Sequence, residues 1–83
     1  MSISFEYTRS ADALYVGFDD RYVAYTVDIS RNGYYERGID YAEDDTPVGV
    51  EFLNVSRGID LTDVPRADEI APLLRKHHIR ELA

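Results

Sequence analysis

The chain has 83 residues, sixteen acidic and nine basic, for a net charge of −7 at pH 7, with 45% hydrophobic residues and no cysteine. That length gives one small domain with a thin core, and the missing cysteine excludes a disulfide framework and thiolate chemistry. The acidic balance disfavours phosphate backbones and anionic membranes as direct partners.

Ile3, Phe5 and Tyr7 alternate with Ser4, Glu6 and Thr8, the period of a half-buried strand. The next run, Ala13 to Phe18, puts Leu14, Val16 and Phe18 on one face and Ala13, Tyr15 and Gly17 on the other. Apolar on both sides, it predicts a more central strand. Asp19-Asp20-Arg21 is a short turn. In YVAYTVDIS, Val23, Tyr25, Val27 and Ile29 alternate with Ala24, Thr26 and Asp28. Asn32-Gly33 then supplies two residues that tolerate the positive φ of a type I′ hairpin turn. A fourth strand over Tyr34 to Tyr41 sets Tyr35, Ile39 and Tyr41 on one side, with Arg37 interrupting. The charged AEDDT is a turn, and Pro47 opens a fifth strand, where its missing N–H does least harm. Val48, Val50 and Phe52 alternate there with Gly49 and Glu51. The phase switches at Phe52-Leu53, which predicts a bulge or the end of the strand. Connections this short join antiparallel strands.

Beyond Gly58 the period changes. Ile70, Leu73 and Leu74 fall at helical spacing in TDVPRADEIAPLLRKHH, and His77 completes the stripe. Acids Asp63, Asp68 and Glu69 come early and Arg75, Lys76 and the two histidines late, which suits the helix dipole. Pro72 removes one helical hydrogen bond, so the helix either starts near Asp68, with Pro72 in its first turn, or kinks at the proline. The expected architecture is α+β: a five-stranded antiparallel β-meander with one C-terminal α-helix packed on one face. It forms a single domain over residues 1–83, with a sheet core over 1–57 and a helical extension over 58–83. No apolar run approaches the ~20 residues of a membrane span. MSISFEYTRS has neither the basic region nor the long apolar stretch of a signal peptide, so a cytoplasmic protein is expected.

Two separated stretches, FEYTRSADALYVGF and VGVEFLNVS, resemble a small bacterial family, domain of unknown function 2283. Its members read Tyr-x-x-x-Ala-Asp-Ala-Leu-Tyr and, after an acidic turn, Gly-hydrophobic-Glu-hydrophobic-Leu. The corresponding residues here are Tyr7, Ala11, Asp12, Ala13, Leu14 and Tyr15, then Gly49, Val50, Glu51, Phe52 and Leu53. The resemblance spans roughly residues 3 to 57, and the tail from Ile59 resembles longer members that append a helix. It implies a β-rich fold and supplies no enzymatic activity. DDTPVG departs from the Asp-Gly turn more frequent in the family, and RKHHI has His78 where a C-terminal glycine would be more usual.

Asp12, Tyr15 and Glu51 are the candidate binding residues. Asp12 precedes a strand between two alanines, where its carboxylate can accept the backbone N–H two residues on and close an Asx-type turn; the competing role is a catalytic or binding carboxylate. Glu51 reads as an exposed residue on the solvated face, paired with Arg37 on the neighbouring strand. Its alternative is a partly buried acid with a raised pKa beside a glycine-lined hollow. No second acid is placed to complete a hydrolytic dyad, and no catalytic residue is assigned. No metal or cofactor is expected. Adjacent His77 and His78 diverge by about 100° on a helix and cannot chelate one ion, and Glu43-Asp44-Asp45 lacks the alternating ligands and central glycine of an EF-hand loop.

Two function classes remain. The first is a non-enzymatic interaction module, a homodimer or an antitoxin-like partner of a basic protein. Tyr15, Tyr22, Tyr25, Tyr34 and Tyr35 would supply a tyrosine-rich surface for it, with Tyr15 the foremost contact. The second is a small hydrolase or ligand-binding protein using Glu51 and Asp12, which requires those carboxylates within about 10 Å across a concave pocket.

Overall fold

The computed structural model describes residues 3–30 and 36–82. Five strands, β1 (Ser4–Thr8), β2 (Ala13–Gly17), β3 (Tyr25–Asp28), β4 (Arg37–Tyr41) and β5 (Pro47–Leu53), form one antiparallel sheet, followed by one helix, α1 (Ala67–Lys76). The α+β class and the all-antiparallel sheet are as expected. The Asn32-Gly33 turn lies outside the described residues.

The connectivity is not a meander. The strand order is β1-β2-β5-β4-β3, so β5 inserts between β2 and β4. The stretch Phe18–Ala24 carries the chain from β2 past two strand positions to the far edge, and two hairpin steps bring it back, a Greek-key order. Apolar content explains the choice. Val48, Val50 and Phe52 are buried, and a meander would leave them on an edge strand. In the observed order Leu14 faces Phe52 and Val16 faces Val50 across β2 and β5, while Ile39 of β4 flanks Val50 from the other side. The more polar β1 and β3 take the edges. The phase switch at Phe52-Leu53 is the end of β5: Asn54 adopts left-handed φ 56° and leads into a single 3₁₀ turn at Val55–Arg57. The sheet's irregularity falls instead between Asp40 and Tyr41.

The chain after Gly58 completes the core. Ile59, Leu61, Val64, Ile70 and Leu74 join Leu14, Val16, Val50 and Phe52 in one buried cluster on one sheet face. Within the expected helical stripe, Ile70 and Leu74 are buried, Leu73 is half-buried and His77 is exposed. The helix starts within one residue of Asp68, but Pro72 falls in its second turn rather than the first. The proline is exposed, so water can serve the Asp68 carbonyl that it leaves without a helical donor.

The other end of α1 closes without glycine. His78 takes φ 58°; its N–H donates to the Arg75 carbonyl at 3.1 Å and that of Ile79 to the Leu74 carbonyl at 2.8 Å. These are the two bonds of a Schellman cap. The chain then returns beside Ile59, whose N–H donates to Arg80 and whose carbonyl accepts Leu82. Gly58 makes that possible at φ 103°, where a Cβ would come within 2.6 Å of Leu82 Cγ.

Arg37 fastens this tail to the sheet. It is 4% exposed, on the core face of β4 in phase with Ile39. Its Nη1 donates to the carbonyls of Asp60, at 2.9 Å, and Thr62, and its Nη2 to that of Ile29 at 2.8 Å. The Asp60 carboxylate lies 3.9 Å away. The expected Arg37–Glu51 pair does not form. Arg37 sits opposite Phe52, whereas Glu51 sits opposite Gly38, and one residue's shift along a strand changes the face.

Candidate functional site

Asp12 occupies a turn, by a different bond from the one expected. It is left-handed at φ 51°, ψ 44°, and closes the 3₁₀ turn Arg9–Ala11 by donating its N–H to Arg9. Its carboxylate reaches the 3₁₀ turn that follows the neighbouring β5. Oδ1 accepts the Ser56 N–H at 2.9 Å and the Tyr7 hydroxyl at 3.2 Å, and Oδ2 accepts the Ser56 hydroxyl at 2.7 Å. The Asp12 carbonyl also accepts the Val55 N–H at 3.1 Å. The Ser56 bonds hold the carboxyl below its ordinary pKa, while the Tyr7 phenol is raised, first by desolvation and then by Asp12. The Asx bond itself forms at Asp19, Asp28, Asp44 and Asp60, each accepting the N–H two residues on.

Tyr15 and Glu51 lie on the sheet face away from α1, directly opposite each other. The Tyr15 ring packs over Gly49, where an added Cβ would lie 2.0 Å from its hydroxyl. That hydroxyl donates to Asp40 Oδ2 at 3.2 Å, and Thr26 donates to Asp40 Oδ1 at 2.6 Å. Desolvation and the Asp40 charge raise the Tyr15 pKa. Tyr15 is thus half-buried and held by its own chain. Glu51 is exposed and, being on the far face, is not brought together with the Asp12 carboxylate.

At the β3 edge all four strand residues are exposed, as are Tyr22, at 94%, and Val23. The Ile29 N–H donates to Arg37 on β4. By the alternation of an antiparallel ladder, the Thr26 and Asp28 backbone groups then point outward. Acids border this edge. Asp44 and Asp19 both hold Arg21, Tyr25 donates to Asp45, and Tyr25 stacks on Tyr41 at 5.2 Å. The Asp45 bond pushes the Tyr25 pKa up to about 12.

Near the β1 edge a cleft of about 390 Å³ is lined by Phe5, Tyr7, Val55, Ser56, His77, His78, Ile79 and Arg80. His77 stacks on Phe5 at 4.4 Å and 13°. No group of three or more His, Asp or Glu side chains among the described residues could hold a metal ion, and no helix among them is long and apolar enough to cross a membrane.

The family described as "Protein of unknown function (DUF2283)" matches residues 4–56, more than half of the chain. The chain belongs to this family. No curated protein and no solved structure matches it. The DUF2283 match takes in all five strands and ends on Ser56, the residue that Asp12 binds. Residues beyond the DUF2283 match supply α1, the buried Ile59, Ile70 and Leu74, and the His77–Arg80 wall of the cleft.

Sequence reasoning missed Ser56, Tyr7 and the structural burial of Arg37. The signal for Arg37 was its phase, two residues before Ile39 on the apolar side of its strand. For Ser56 there was none, since its partner lies 44 residues away.

Proposed function

We propose that the protein is a non-enzymatic interaction module whose β3 edge takes an extended segment of a basic partner protein, as an antitoxin-like protein would. The observation that carries this reading is the edge itself. Outward backbone groups on an exposed edge strand invite another strand, and Val23, Tyr25 and Val27 offer apolar contacts beside them. The surrounding segments, residues 19–30 and 40–46, hold seven acids and one base, Arg21. That base is neutralised by Asp19 and Asp44. Such a border attracts a cationic segment and resists a second copy of itself. The alternative use of Asp12 and Glu51 as a hydrolytic pair has no support, because they lie on opposite faces of the sheet and Asp12 is occupied by Ser56 and Tyr7.

The test is binding of a strand peptide of alternating Lys and Val against its Glu/Val counterpart. The Lys/Val peptide is expected to bind, more weakly as salt rises, and Asp20→Lys with Glu43→Lys to weaken it about three- to tenfold. Equal binding of both peptides would overturn the reading. Salt-independent dimerisation of the chain through β3 would replace the basic partner with a second copy.

A further inference from the structure

The cleft near the β1 edge has the opposite character from β3. Its floor is apolar: Val55 is buried, and Phe5 and Ile79 are half-buried. Its rim is exposed and polar, formed by Tyr7, Ser56, His77, His78 and Arg80. The volume of about 390 Å³ is within the range of small-ligand sites. Positive charge gathers around it. Besides Arg80, Arg57 stands close enough to act electrostatically on Asp12, and Arg9 on Tyr7.

Two carboxylates stand nearby. Asp12 is ionised, but its oxygens are turned into bonds from Tyr7 and Ser56 and its charge is offset by Arg57, and Glu81 faces Arg75 at 3.6 Å. A helix C-terminus ordinarily repels anions through its open carbonyls. Here the carbonyls of Leu73, Leu74 and Arg75 accept the N–H groups of His77, Ile79 and His78. The acids at β3 lie four strand spacings away, about 19 Å, more than twice the Debye length of about 8 Å at 0.15 M salt.

We infer that this cleft binds a small organic anion, with a flat apolar body against Phe5, Val55 and Ile79 and a carboxylate or phosphate group at Arg80. The Phe5–His77 stack already provides a planar wall, and a guanidinium offers paired donors to either oxyanion. The inference is independent of the β3 reading, since it uses the other edge and no protein partner.

The experiment is a titration of the isotope-labelled full chain with benzoate, phenyl phosphate, inorganic phosphate and benzylamine, followed by amide shifts. Saturable shifts at Ser56, His78 and Ile79 are expected with benzoate or phenyl phosphate, the stronger of the two naming the oxyanion. Benzylamine, which has the same body and the opposite charge, is expected to leave them unmoved. Arg80→Gln should weaken binding about two- to fivefold, the range of an exposed charge pair. Its melting temperature should not change, because only the Arg80 backbone carbonyl holds Ile59. Four results would each overturn the inference: no saturable shift with either aromatic anion, benzylamine binding as well as benzoate, inorganic phosphate matching phenyl phosphate, or unchanged binding by Arg80→Gln.

Discussion

Replacing Arg37 by methionine tests how the tail is held to the sheet. Exchanging a buried ion pair for apolar groups is frequently neutral or stabilising, because both charges leave together. Arg37 differs, since its main acceptors are the backbone carbonyls of Ile29, Asp60 and Thr62, which no side-chain substitution removes. Methionine fills similar space but leaves those carbonyls without their guanidinium donor and removes the positive charge 3.9 Å from the Asp60 carboxylate, which keeps the Thr62 N–H. Loss of a buried charged partner costs about 3–5 kcal/mol. A chain of this length has a total stability of roughly 4–12 kcal/mol. The expected result is a melting temperature lowered by at least about 12 °C, from about 4–8 °C per kcal/mol for a domain this small. Arg37→Lys should fall almost as far, because one ammonium cannot span three carbonyls. Thermal denaturation followed by circular dichroism reads both variants. If Arg37→Met melted within a few degrees of the native chain, the clamp would contribute little and the tail would be held by apolar packing alone.

His78→Gly should stabilise the chain by about 1 kcal/mol, since glycine takes the left-handed cap position without the Cβ penalty; a lower melting temperature would show that the imidazole contributes more than its backbone strain costs. Asp12→Asn keeps an acceptor for Ser56 and tolerates the left-handed turn, so it should melt well above Asp12→Ala, and the reverse order in paired melts would discard the tie. Asp12, Asp28, Asp44 and Glu69 all have depressed pKa values, with hydrogen bonds as the leading cause. Their contribution is therefore complete above the ordinary carboxylate range and lost as pH falls below about 4, and urea midpoints at pH 6, 4 and 3 should decline in that order. Tyr25 should ionise near pH 12, and Asp45→Asn should move that titration toward 10, readable by ultraviolet difference spectra.

The faces of the strands were legible because alternation is a local property. Leu14, Val16 and Phe18 were assigned to one side, as were Val48, Val50 and Phe52, and all six are buried. Neighbours were not legible, since alternation says which face a residue takes and nothing about which strand lies beside it. Hence β5 was expected at an edge and sits between β2 and β4. Asp12 shows the same limit at one residue: its turn role follows from its type, but its bond to Ser56 depends on a contact created by the whole sheet. Arg37 shows a different one. A charge in an apolar phase reads as an interruption until the carbonyls of a distant segment are brought to it. The β3 edge was half-visible, as an amphipathic strand, but its exposure follows from strand order alone.

Amide hydrogen exchange at Thr26 and Asp28, measured with and without a bound cationic strand peptide, tests the proposed docking edge most directly. Strand addition at β3 would place both outward N–H groups in new ladder bonds, so their exchange should slow at least about tenfold, with Val27, already bonded inward to β4, changing far less. Binding of the peptide with unchanged exchange at Thr26 and Asp28 would contradict the edge as the docking surface.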